Sequence, residues 1–144
     1  MENLSAVRVL AVDDSAPWRG FVAAQLQEQS VQVVGTAADG SEAVHEARVL
    51  RPDIVIMDVW MAKLNGLAAT REISKVAPES RILIVTNETD PGIVQAAFAV
   101  GARGYVLKSM VAVDLLRAVE TIARGELFVG RGLMRGGGPP GASR

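Results

Sequence analysis

The chain has 144 residues, 49% hydrophobic and 22% charged, the balance of one ordinary globular domain, which excludes intrinsic disorder outside its ends. Fifteen basic against sixteen acidic residues leave a net charge of -1, so no global field recruits nucleic acid or an anionic membrane. The lack of cysteine and the single histidine, His45, exclude disulfide frameworks, thiol catalysis and cysteine- or histidine-rich metal sites. Short apolar runs alternate with longer amphipathic stretches from there on. Residues 7–12 (VRVLAV) predict a strand, and residues 17–28 a helix capped by Ser15, with Pro17 in its first turn and Phe21, Val22 and Leu26 on one stripe. Residues 31–36 (VQVVGT) predict a second strand. After Asp39-Gly40, residues 41–50 predict a helix burying Ala43, Val44, Ala47 and Leu50. Strand 54–57 (IVIM) precedes helix 66–76, where Leu67, Thr70, Ile73 and Val76 recur at spacings of three and four. Strand 82–86 (ILIVT) precedes helix 91–100, which opens on Pro91 after Asp90, a capping residue. This fourth helix carries one polar residue between Ile93 and Val100, so it is expected either to be well buried or to present an apolar docking patch. Strand 104–107 (GYVL) and helix 111–124, with Leu115, Val119 and Ile122 inward and Gly125 as its stop, complete the series. The segment 136–144 (GGGPPGASR) cannot build a core, and residues 126–144 as a whole are expected to be a flexible Gly/Pro-rich tail.

Five strands rich in Val and Ile, each followed by a helix, imply a parallel sheet buried on both faces. Right-handed crossovers make this a doubly wound (βα)5 α/β sandwich. Ligands in such sheets bind at the carboxyl ends of the strands. Strand one ends in Asp13-Asp14, strand three in Asp58, strand four in Thr86 and strand five in Lys108. Each has an ordinary explanation alone, since Asp starts turns and Lys is commonly a solvated charge. All five on one edge are hard to assign to chance. Three carboxylates facing one ammonium either raise a carboxylate pKa or recruit a cation. Oxygen-only donors favour magnesium, with manganese the alternative. A bound cation would bring a phosphoryl oxygen to the carboxylates while Lys108 and Thr86 take the others, with Asp58 as the nucleophile of an aspartyl phosphate.

Val12-Asp13-Asp14, the run Met57-Asp58-Val59-Trp60-Met61 with Asn65-Gly66-Leu67, Ile84-Val85-Thr86 and Gly101–Lys108 together resemble the receiver domain of two-component response regulators, over residues 6–125. The resemblance implies the flavodoxin-like receiver topology with strand order 2-1-3-4-5. It implies that Asp58 accepts a phosphoryl group from a histidine kinase or phosphotransfer protein, in a switch with at most self-phosphorylation and self-dephosphorylation chemistry. Asp14, Asp58 and the Trp60 carbonyl would ligate magnesium, with Asp13 acting mostly through water. Thr86 and Tyr105 resemble the family's switch pair, which reshapes the face of the fourth helix, fifth strand and fifth helix for a downstream protein target or a homodimer.

Gly101–Lys108 and the run 123–128 look most like receivers attached to helix-turn-helix DNA-binding domains. Residues 126–144 have no room for such a domain, so output is expected in another protein unless the chain is a fragment, and no direct nucleic acid binding is expected. No apolar run reaches the roughly 18 residues of a membrane span, and the N-terminus lacks a signal peptide's basic flank and apolar core, so the expected location is the cytoplasm. Departures from the pattern are Ala62 where proline is common, Asn87 where a small residue is usual, and Ser109 where many receivers have proline. Trp60 is expected either to shield the acyl phosphate from water or to lie on the surface. His45 is expected at the surface. A flavodoxin-like FMN carrier would need a hydroxyl- and Gly-rich phosphate loop where Asp13-Asp14-Ser15-Ala16-Pro17 stands. A phosphatase of the haloacid dehalogenase type would need Asp-x-Asp on the first strand.

Overall fold

The computed structural model describes residues 4–133. After a short 3-10 turn at Leu4–Ala6 come β1 (Arg8–Val12), α1 (Ala16–Glu28), β2 (Gln32–Ala37), α2 (Gly40–Leu50), β3 (Ile54–Met57) and α3 (Gly66–Val76). The second half holds β4 (Arg81–Thr86), α4 (Pro91–Ala99), β5 (Gly104–Leu107), α5 (Val111–Ala123) and β6 (Phe128–Val129). The strands form one parallel sheet in the order β2-β1-β3-β4-β5-β6. The expected order 2-1-3-4-5 is therefore present, and the expectation of five strands is one short. β6 has two residues, too few to show an alternating pattern, and forms because β5 offers an open edge on which Phe128 pairs with Gly104 and Val129 with Tyr105. The rest of the segment expected to be a flexible tail, 134–144, lies outside the described residues.

Strand periodicity divides the core into two layers. Leu10, Val12, Val55, Met57 and Ile84 face one side with α2, α3 and α4, where Ala43, Ala47, Ile73, Val94 and Phe98 are buried. Val9, Ala11, Ile54, Ile56, Leu83 and Val85 face the other side with α1 and α5, over Val22, Leu26, Leu115, Val119 and Ile122. Polar caps set the helix starts: Ser15 Oγ accepts from Trp18 N, Asp39 Oδ1 from Glu42 N and Asn65 Oδ1 from Ala68 N. Two sequence expectations fail locally. Phe21 is half exposed instead of lining the core stripe, because α1 needs only Val22 and Leu26 against the sheet. Asp90 stands at the N-cap of α4 without a side-chain capping bond. α4 buries Val94, Ala97 and Phe98, and none of the exposed large apolar side chains among the described residues belongs to it. Among those residues no helix is long and apolar enough to cross a membrane.

Candidate functional site

Parallel strands deliver their last residues to one edge, where Asp13 follows β1, Asp58 follows β3, Thr86 ends β4 and Lys108 follows β5. Asp13, Asp58 and Thr86 are all buried. Lys108 Nζ lies 2.8 Å from Asp13 Oδ2 and 3.0 Å from Asp58 Oδ2. Thr86 Oγ1 donates to Asp58 Oδ1 at 2.5 Å, and the Trp60 backbone N–H donates to the same oxygen at 3.2 Å. Ser15 N donates to Asp13 Oδ1 at 2.9 Å. An ammonium has three donors, and here it has three neighbours: two carboxylates and the face of Trp18, whose centroid is 5.0 Å away. Burial works against the Lys108 charge, but the contacts with Asp13 and Asp58 outweigh it and raise its pKa above the ordinary lysine value.

The edge thus brings four of the expected residues into contact. Asp14 is exposed, and among the described residues no three acidic, histidine or cysteine side chains converge as a metal-holding group. Lys108 occupies the place between Asp13 and Asp58. The donor chemistry nevertheless suits a hard cation, because the buried Asp13 Oδ2 meets only the Lys108 ammonium among the described residues and a carboxylate oxygen carries a second lone pair.

Tyr105 is fully buried, and its hydroxyl donates to the Glu88 carbonyl at 2.9 Å. Burial first, and then the negative charges of Glu88, Asp58 and Asp90, push the phenol pKa up, so the ring stays neutral. Glu88 is the residue that sequence reasoning missed. Its backbone N–H donates to Thr86 Oγ1 at 3.3 Å, one carboxylate oxygen accepts from Trp60 Nε1 at 2.9 Å, and the other accepts from Asp90 N at 2.9 Å. Those two N–H groups, Asp90 first, lower the Glu88 pKa. Trp60 is 53% exposed, so its indole lies at the surface while being tied to the loop after β4. Asn87 and His45 are exposed.

The turn after β3 is held against α3. Gly66 N donates to Val59 O at 2.7 Å, and a Cβ on Gly66 would lie 2.1 Å from the Asp58 carbonyl oxygen, so only glycine fits.

A family model described as the response regulator receiver domain matches residues 9–120. The chain belongs to the response regulator receiver domain family. This receiver is 36% identical over 121 residues to the response regulator protein VraR of Staphylococcus aureus, covering 83% of the chain and 58% of VraR. It therefore spans somewhat over half the length of that relative. A LuxR-family two-component response regulator from Aurantimonas sp. superposes with a TM-score of 0.81 at 35% identity, covering 84% of this receiver and 87% of that chain. The response regulator domain of Thermotoga maritima CheB superposes with a TM-score of 0.74 at 36% identity, covering 79% and 93%. The fold and family expected from the motifs are those found.

Proposed function

We propose that this receiver is a phosphorylation-dependent switch in which Asp58 accepts a phosphoryl group from a phosphohistidine on a histidine kinase or phosphotransfer protein. The observation that carries it is the convergence of Asp13, Thr86 and Lys108 on the buried Asp58 carboxylate. Oδ1 of Asp58 already accepts two hydrogen bonds, from Thr86 and Trp60, whereas Oδ2 faces only the Lys108 ammonium among its described contacts. Oδ2 is therefore the oxygen that attacks phosphorus as the bond to the donor nitrogen breaks, and the leaving imidazole keeps that electron pair. Lys108 faces the charge that arrives with the phosphoryl oxygens, and Thr86 Oγ1 turns from Asp58 to one of them.

Asp13, Asp14, Asp58 and the Trp60 carbonyl would hold magnesium, or manganese, which when bound neutralises phosphoryl oxygens. The chain's own part is to fix the acceptor, balance its charge and shield it. Thr86 and Tyr105 form the switch pair, with Glu88 joining them, and movement there changes the α4–β5–α5 face read by a downstream protein or a second copy. Likeness to the response regulator protein VraR and to a LuxR-family two-component response regulator supports a receiver that acts in two-component signalling.

Beryllofluoride, a tetrahedral phosphoryl mimic, tests this. With magnesium it should raise the melting temperature of the wild type and leave Asp58→Asn unchanged. An equal rise in both proteins refutes the assignment of Asp58.

A further inference from the structure

We infer that residues 126–133 form a strap, docked on β5 and latched to α5, whose docking is coupled to the state of the phosphoacceptor. The coupling clause rests on the function proposed above, whereas the strap itself does not.

The strap is attached at every level. Phe128 N donates to Arg103 O at 3.0 Å and Gly130 N to Tyr105 O at 2.8 Å, closing the β5 edge. Arg103 Nη2 holds the Gly125 carbonyl at 2.8 Å where the chain leaves α5. Phe128 packs with the α1–α5 layer, while Val129 packs with the opposite layer, and Leu133 is buried in that same layer, which also holds the buried α4 residues and Tyr105. Asp114, in the first turn of α5, is 1% exposed, and both its oxygens are taken by Arg131: Oδ2 by the backbone N–H at 2.9 Å and Oδ1 by Nε at 3.1 Å. A buried carboxylate whose partners among the described residues all come from one later residue is a latch. Gly130 has no room for a side chain, since a Cβ would lie 2.9 Å from Tyr105 O and 3.2 Å from Val106 Cα.

Tyr105 links this strap to the acceptor. Its carbonyl receives the strap through Gly130, its ring lies in the layer that Leu133 completes, and its hydroxyl holds the Glu88 carbonyl, whose N–H reaches Thr86 on Asp58. The docked strap therefore goes with Tyr105 inward and the Glu88 loop tied back, which leaves Thr86 beside the acceptor and free to turn to a phosphoryl oxygen. Loading Asp58 tightens the strap, and lifting the strap weakens loading by the same factor.

Amide exchange followed by mass spectrometry decides between these and the alternatives. Without ligand, the amides of Phe128 and Gly130 should be protected by roughly 100-fold or more in the wild type, and protection should fall by roughly tenfold in Gly130→Val and in the milder Arg131→Ala. Magnesium with beryllofluoride should slow both amides at least about threefold, and the variants should bind beryllofluoride more weakly by the matching factor. Unprotected amides in the unliganded wild type overturn the strap. Lifted strap with unchanged beryllofluoride affinity overturns the coupling and leaves the role of Asp58 standing. A wild type that binds no beryllofluoride overturns the acceptor reading and the coupling with it, while the strap stands on its exchange.

Discussion

Replacing Lys108 by methionine keeps a flexible apolar stem against Trp18 and removes the ammonium. Asp13 and Asp58 then face each other without the cation now 2.8 and 3.0 Å from their oxygens. Removing one partner of a buried ion pair costs about 3–5 kcal/mol. Two features reduce that here. The Lys108 side chain is 17% exposed, so water screens part of the interaction, and Asp58 keeps the Thr86 hydroxyl and the Trp60 N–H while Asp13 keeps the Ser15 N–H. We expect Lys108→Met to lose about 2–3 kcal/mol at pH 7 in a chelator, read by urea denaturation monitored by circular dichroism. Millimolar magnesium should narrow that gap, because a divalent ion can take the vacated place between the carboxylates. A variant as stable as the wild type in chelator would refute the argument. So would a deficit that magnesium leaves unchanged.

Tyr105 and Lys108 both have raised folded-state pKa values, so their contribution is present below about pH 10 and is lost as the pH rises above it. Alkaline titration should therefore destabilise the wild type more steeply than Tyr105→Phe, and parallel curves would contradict this. Glu88 has a lowered pKa, so its tie to Trp60 holds above the ordinary glutamate range and is lost as the pH falls through the lowered value. In Trp18→Phe, where Trp60 is the remaining indole, the emission should change below about pH 4.5, and Glu88→Ala should abolish the change. Trp60→Asn should shorten the lifetime of the acyl phosphate; an unaltered lifetime would remove the shielding role. Gly66→Ala should cost about 1–3 kcal/mol in urea denaturation, because its methyl group meets the Asp58 carbonyl; an unchanged midpoint would contradict the packing.

Much of this site was legible in the sequence because a parallel sheet turns the ends of apolar runs into a common edge. Asp13, Asp58, Thr86 and Lys108 are each the residue at which a Val/Ile run stops, and topology alone brings them together. Which of two adjacent acids turns inward is a matter of side-chain direction after β1, and Asp14 is the exposed one. Glu88 carries no spacing signal, since three of its four hydrogen bonds join segments distant in the chain or use its backbone. Phe21 fits the periodicity of α1 and is still half exposed, because a stripe on a helix is wider than the surface it covers. The Asp114–Arg131 latch joins residues 17 positions apart and depends on a two-residue strand, so no local pattern announces it.

Intact mass measurement after incubation with magnesium and acetyl phosphate tests the central claim most directly. The wild type should gain one phosphoryl group, about 80 Da, that is lost on base treatment as an acyl phosphate is, and Asp58→Asn should gain none. A wild type of unchanged mass, or an equal gain in Asp58→Asn, would contradict the assignment of Asp58 as the phosphoacceptor.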